Sequence, residues 1–343
     1  MLCALYALLV TTGAAAVPGQ GTNSSAAGPV GPRSGQYTGV GTYRNSACSK
    51  TRDFVYYEPA GSGPAPIAVY LPGTMTEPDD PIFLMYLQRL AEKGYVAVSV
   101  DYGGSAVLCS FGCSCYKSKA DCLFDPKRGE SLISVIASRT RGDPSLGIVV
   151  WGHSQGGYMA LMSGDLNPDV RRAVATGTTD CAGLYGCIMP KERGLPSDRI
   201  RVVIGEHDKT APPKQAEDRG KTPGFRRQLT GLTEQPEACS APGNASCFSP
   251  NGSGFCIVLD NETEEGVGDH RFWQKGDASK GNRIDSLDAR YLTEFRKPWS
   301  LDATIDWLAG ACGNGTCDRT ESPHTCALDC GSPPDGAKDE ARQ

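Results

Sequence analysis

Gly152-His153-Ser154-Gln155-Gly156 sets a serine between glycines two positions to either side. A serine hydroxyl is a weak nucleophile at neutral pH. It needs a neighbouring base, a group that orients that base, and donors for an oxyanion. The surrounding IVVWGHSQGGYMAL, residues 148–161, reads as a strand, a sharp turn and a helix. Such a turn lifts the hydroxyl clear of the sheet edge and leaves almost no room for side chains beside it. Gly152 and Gly156 supply that room, and Gly157 adds more where the helix meets the sheet. In a chain with 42 glycines the bare G-x-S-x-G pattern arises about 0.4 times by chance. The strand before it and the helical run after it are what make it specific.

The base and its orienting acid have to come from further along the chain. After the apolar run Arg201–Ile204 comes Gly205-Glu206-His207-Asp208, and after Phe255–Leu259 a loop ends in Gly268-Asp269-His270. Parallel strands point their C-terminal ends the same way, so both loops reach the rim that carries the serine. The expected roles are Ser154 as nucleophile, His270 as general acid and base, and Asp208 as the acid that orients His270. Only three other histidines exist. His153 is expected to pack under the turn. His207 is turned away from Asp208 by strand alternation, and His324 lies in a C-terminal cysteine cluster. Asp101, at a strand end, is the competing acid, while Asp260 and Asp269 read as solvated loop charges.

These side chains require a particular set of elements. Strands are predicted at 53–57, 67–71, 95–100, 148–151, 173–176, 201–204 and 255–259, and helices at 81–93, 130–139, 155–163 and 299–308. The alternation argues for α/β architecture with a mostly parallel twisted sheet and helices on both faces. Phe83, Leu87, Leu90 and Ala91 share one face of the first helix, which Gly94 stops. Ser300 is a candidate N-cap for the last. Insertions at 103–127 and 211–254 follow strand ends and should border the reactive rim. Their cysteines suggest a rim stapled by disulfides, with Tyr102 and Tyr158 either lining it or packed in the ordinary way.

The motifs "FVYYEP", "APIAVYLPGT", "GHSQGG", "VVIGEHDKTAPP" and "GDHRFW" occur in that order over residues 53–309. Together they resemble the α/β-hydrolase superfamily, in particular esterases similar to dienelactone hydrolases and bacterial polyesterases. The resemblance implies the α/β-hydrolase fold, ester hydrolysis through an acyl-enzyme, and no requirement for a cofactor or metal. It also implies an oxyanion hole after the strand 67–71. Members usually carry His-Gly there, whereas this chain has Pro72-Gly73-Thr74-Met75. Because the donor is a backbone N–H, the change of side chain need not remove it. The expected donors are the amides of Thr74 and Gln155, with Met75 as the alternative to Thr74. A serine peptidase or acyltransferase would use the same triad, and a non-catalytic binding protein on the same scaffold is the third reading.

Composition sets the setting. The net charge is −5, and with no basic excess or nucleic-acid motif, nucleic-acid partners are set aside. Residues 1–16, MLCALYALLVTTGAAA, end in small residues that a signal peptidase could cut, although no Lys or Arg precedes the apolar run. The run is too short to span a membrane. Residues 17–36 read as a disordered leader, 37–310 as the catalytic domain, 311–331 as a cysteine-rich module and 332–343 as a disordered tail. Fifteen cysteines become fourteen without Cys3: ten in the body and four in the module, both even, as a disulfide framework requires. Cys113-Ser-Cys115 lacks zinc-ligand spacing. In the module Asn314, Asp318, Glu321 and Asp329 offer oxygens that suit calcium, but not at EF-hand spacing. Five of eight asparagines, Asn23, Asn244, Asn251, Asn261 and Asn314, open glycosylation sequons. The expectation is a secreted glycoprotein acting on an ester, small molecule or polymer, with surface or polymer binding as a role for the module.

Overall fold

The apolar runs expected as strands lie side by side in one sheet. A computed structural model describes residues 36–44, 51–74, 76–103, 113–178, 194–211, 247–248, 253–275, 287–294 and 297–310. The expected segments 1–16, 311–331 and 332–343 lie outside these residues, as do Met75 and His324.

Among the described residues the strands are β1 (Gln36–Tyr43), β2 (Arg52–Glu58), β3 (Ile67–Leu71), β4 (Val96–Val100), β5 (Ile148–His153), β6 (Val170–Thr176), β7 (Ile200–Gly205), β8 (Cys247–Phe248) and β9 (Gly254–Val258). Their order is β1-β2-β4-β3-β5-β6-β7-β9-β8. The run from β4 to β9 is parallel, with β1, β2 and β8 antiparallel at the margins. Every residue of β3, β4, β5, β7 and β9 is buried, as parallel strands covered on both faces must be.

Alternate residues feed two cores. One face sends Val69, Val98, Val150, Ala175 and Val202 against α2 (Cys113–Phe124), α3 (Leu132–Arg139) and α4 (Gln155–Leu166). The other sends Tyr70, Trp151, Val174 and Val203 against α1 (Pro81–Glu92), α5 (Ala289–Thr293) and α6 (Leu301–Ala309). Asp80 caps α1 by accepting from the Ile82 N–H at 3.0 Å. Ser300 occupies the N-cap position of α6, although its hydroxyl makes no capping bond.

Three features differ from expectation. Strand β1 begins at Gln36, the last residue assigned to the leader. Its sequence QYTGVGTY has little apolar periodicity, and it holds its place by pairing with β2. Gly41 is needed there because a Cβ would lie 2.3 Å from the Phe54 ring. The first insertion contains a helix, α2, that the sequence reading did not assign. Tyr116, Ala120 and Leu123, at helical spacing, enter the core, and the helix packs on α4. Tyr102 and Tyr158 are accordingly buried, which is the packing alternative for both. Lastly, Cys256, counted among ten pairing cysteines, is a buried thiol. It faces the apolar core under α6. Cys115 and Cys122 are disulfide-bonded.

Candidate active site

Ser154 has φ 51° and ψ −116°, and is the one non-glycine residue with positive φ among those described. Such a conformation is strained for a residue with a side chain and persists only where the surroundings enforce it. Here β5 ends and α4 begins within one residue. The Ser154 N–H donates to Thr176 O at 2.8 Å, and the Gly157 N–H donates to Ser154 O at 3.0 Å. The glycines are sterically required. A Cβ on Gly152 would sit 2.2 Å from Gly156 O, and one on Gly156 would sit 2.2 Å from Leu71 O.

Asp208 and His270 meet directly. His270 Nδ1 donates to Asp208 Oδ2 at 2.7 Å. The other oxygen, Oδ1, accepts the Thr210 and Ala211 N–H groups at 2.8 and 2.7 Å. The carboxylate side chain is fully buried and the imidazole is 21% exposed. With Nδ1 donating, Nε2 is left as the basic nitrogen of the neutral ring. The loop carrying His270 is held by the His207 N–H donating to Gly268 O at 2.7 Å and by the Gly268 N–H donating to Asp260 Oδ1 at 2.7 Å.

His153 joins the serine turn to this pair. Its ring centre lies 4.6 Å from that of His270 and 4.3 Å from that of Trp273. Its Nδ1 donates to Thr176 O at 3.1 Å. Burial holds its pKa well below the usual histidine value, and His270 and Arg271 push the same way. Gly177, at φ 59°, closes the gap: a Cβ there would come 2.9 Å from His270 Cε1 and 2.7 Å from His153 Cε1.

The loop after β3 runs beside the serine. A Cβ on Gly73 would lie 2.7 Å from His153 Cδ2 and 3.6 Å from Ser154 Cβ. Two bonds fix this loop: Thr76 Oγ1 donates to Gly73 O at 2.7 Å, and the Tyr102 hydroxyl donates to Pro72 O. Gln155 opens α4, where a backbone N–H has no intrahelical acceptor. Thr74 and Gln155 therefore lie on segments flanking Ser154.

The rival residues are engaged elsewhere. Asp101 forms an ion pair with Arg52 at 3.3 Å and accepts the Gly103 N–H. His207 is exposed and pairs with Asp260 at 2.9 Å. That hydrogen bond raises its pKa. Asp260 and Asp269, expected to be solvated, are instead structural. Asp260 ties β9 to the His270 loop, and Asp269 Oδ1 accepts the Arg271 N–H at 2.7 Å. Glu206, His207 and Asp260 bring ligand atoms within 4.8 Å of one another. Their bonds to each other and to backbone N–H groups account for that cluster. A cavity of about 380 Å³ beside Arg171, Arg172 and Arg199 opens at the opposite end of the strands and is separate from this site.

Strand order and a serine at a strained strand–helix turn give an α/β-hydrolase-like fold, as the sequence resemblance implied. No protein-family model and no curated protein matches the chain. Solved structures similar to it include esterases and related hydrolases. Esterase Est22 is 14% identical over 42% of this chain and 43% of its own, with a TM-score of 0.33. A protein named as a putative dienelactone hydrolase, from Klebsiella pneumoniae subsp. pneumoniae MGH 78578, is 16% identical over 64% and 83%, with a TM-score of 0.38. An S-formylglutathione hydrolase from Agrobacterium tumefaciens is 16% identical over 67% and 87%, with a TM-score of 0.37. The chain spans less than half the length of the first of these. At such scores none of them carries the functional reading.

Proposed function

We propose that the chain is a secreted serine hydrolase that cleaves carboxylic esters through Ser154, His270 and Asp208. One observation carries this reading: the 2.7 Å bond from His270 Nδ1 to a buried Asp208, beside a serine held in a strained turn. His270 Nε2 takes the hydroxyl proton as Ser154 Oγ attacks the ester carbonyl. The oxyanion that forms is met by the N–H groups of Thr74 and Gln155. The tetrahedral intermediate expels the alcohol, which leaves with the proton from His270 and an acyl-Ser154 behind it. Water then gives a proton to His270 and its oxygen to the acyl carbon. Collapse frees the carboxylic acid and returns the proton to Ser154. Asp208 keeps the imidazole in the needed tautomer throughout and stabilises the imidazolium.

Export is part of the same reading. It is supported by the apolar leader ending in Ala14-Ala15-Ala16, by the disulfide-bonded Cys115 and Cys122, and by the exposed Asn261 of an Asn-Glu-Thr sequon. The substrate is a small or polymeric ester, and polymer or surface attachment is the role assigned to residues 311–331.

The test is a fluorophosphonate probe on the oxidised, purified protein, followed by ester and peptide panels. Labelling that disappears in Ser154→Ala, with ester turnover far above amide turnover, is the expected result. Labelling with peptide cleavage dominant would make the chain a peptidase. An unlabelled folded protein would make it a non-catalytic scaffold.

A further inference from the structure

Lys119 stands in the middle of α2 and points at the serine turn. Its Nζ donates to Gln155 Oε1 at 3.1 Å and to Gly103 O at 3.1 Å. It also lies 5.5 Å from the centre of the Tyr102 ring. Gln155 carries one of the two oxyanion donors proposed above. Tyr102 donates its hydroxyl to Pro72 O, in the loop that carries the other. One ammonium therefore touches the supports of both donors. It is itself anchored, because the disulfide-bonded Cys115 and Cys122 lie on either side of it in α2.

The geometry points to Lys119 as a positioning residue for the oxyanion hole. It holds Gln155 at the head of α4 and, through Tyr102, steadies the segment from Pro72 to Thr74 beside Ser154. This inference rests on the esterase reading. Gln155 is 2% exposed, so bulk water is poorly placed to take the ammonium's part. The groups facing Lys119 are Arg52 from β2, Asp101 and Tyr102 after β4, and Gln155 from α4, while Tyr116 of α2 hydrogen-bonds the same Gln155 side chain. Burial pulls its pKa down to about 8, Arg52 pushes the same way, and Asp101 opposes them. As pH rises through that value the ammonium loses its proton. The positive field on the head of α4 then disappears, and kcat should fall.

The experiment is the pH profile of kcat and KM on a soluble p-nitrophenyl ester. Lys119→Met is expected to lower kcat by about tenfold to a hundredfold, the scale of a small misplacement at a reacting centre, with KM little changed. It should also flatten the alkaline fall near pH 8. Lys119→Arg, which keeps its proton, should restore part of kcat without the alkaline fall. Gln155→Ala retains the backbone N–H but loses the contact. Combined with Lys119→Met it should cost no more than either change alone. Wild-type kcat and pH profile in Lys119→Met, with Ser154 still labelled by fluorophosphonate, would overturn the inference and leave the esterase reading standing. If Lys119→Met does not fold, an unchanged alkaline limb in Lys119→Arg overturns it. If the wild type neither labels nor hydrolyses esters, the esterase reading fails separately. Hydrogen exchange over residues 152–158 then decides the clamp: faster exchange in Lys119→Met supports it and equal exchange refutes it.

Discussion

The imidazoles of His153 and His270 pack with ring centres 4.6 Å apart and planes tilted by 51°. The second ring must become a cation during the proposed reaction. The first is buried, donates from Nδ1 to Thr176 O, and is held neutral. A neutral neighbour supplies a packing wall without opposing the imidazolium by like-charge repulsion.

His153 should show no titration across the working range when its ring resonances are followed by NMR against pH, whereas exposed His207 should titrate above the usual histidine value. The two act on stability in opposite directions. The folded pKa of His153 is depressed, so below about pH 6.5 the unfolded chain binds a proton that the folded one does not. Stability is lost there as pH falls. His207 has a raised folded pKa, so its contribution is full below about 6.5 and is lost as pH rises through the folded value. Melting curves of His153→Gln between pH 4.5 and pH 8 (about two units below the ordinary histidine value and somewhat above it) should decline less on the acid side than those of the wild type. An unchanged acid limb would show that the ring is not held neutral.

Asp208→Asn should keep the fold and lower kcat by about 10⁴-fold, the loss seen when a triad carboxylate becomes an amide. Asp208 Oδ1 can still accept the Thr210 and Ala211 N–H groups, but the partner of His270 Nδ1 loses its charge. His207→Ala should leave kcat within a factor of about two, since surface changes away from the chemistry usually cost little. A collapse of kcat in His207→Ala would reassign the base.

Gly177→Ala tests how closely His270 is held. The new methyl would lie 2.9 to 3.0 Å from the His270 ring and 2.7 Å from the His153 ring, and φ 59° disfavours a side chain by roughly 1–2 kcal/mol. The expected outcome is a kcat loss of about a hundredfold with a modest fall in Tm. In Gly156→Ala the new methyl would lie 2.2 Å from Leu71 O and 2.8 Å from Leu71 C, backbone atoms that cannot turn aside. This variant should fail to give soluble protein, which expression followed by circular dichroism will show.

Arg201 offers a contrast away from the site. Buried in β7, it donates to Pro298 O and Ala303 O at 3.2 Å each and lies 4.6 Å from the Trp307 ring. Burial, its largest influence, pulls its pKa down to about 9. Arg201→Met would leave two carbonyls short of a donor and should cost about 1–3 kcal/mol in denaturant unfolding, with kcat unchanged.

The order of motifs made much of this legible from sequence. Ser154, Asp208 and His270 each follow an apolar strand, and parallel strands bring their following loops to one rim. The helix beginning at Gln155 and the glycines around Ser154 are local, because turn geometry is set by neighbours in the chain. The strand β1 was hidden because QYTGVGTY gains its order from β2. The helix α2 carries a weak apolar signal, because polar and charged residues separate Tyr116, Ala120 and Leu123 along CSCYKSKADCLF.

Sequence alone thus determined which residue types stand at the strand ends, and therefore a parallel sheet with a nucleophile turn. Tertiary structure decided which histidine meets Asp208, that His153 stays neutral against it, and that Lys119 grips Gln155. The reason is physical. Backbone conformation follows from nearby residues, whereas burial, desolvation and hydrogen-bond partners are fixed by groups that lie even more than a hundred positions away, as in the bond from Arg201 to Ala303.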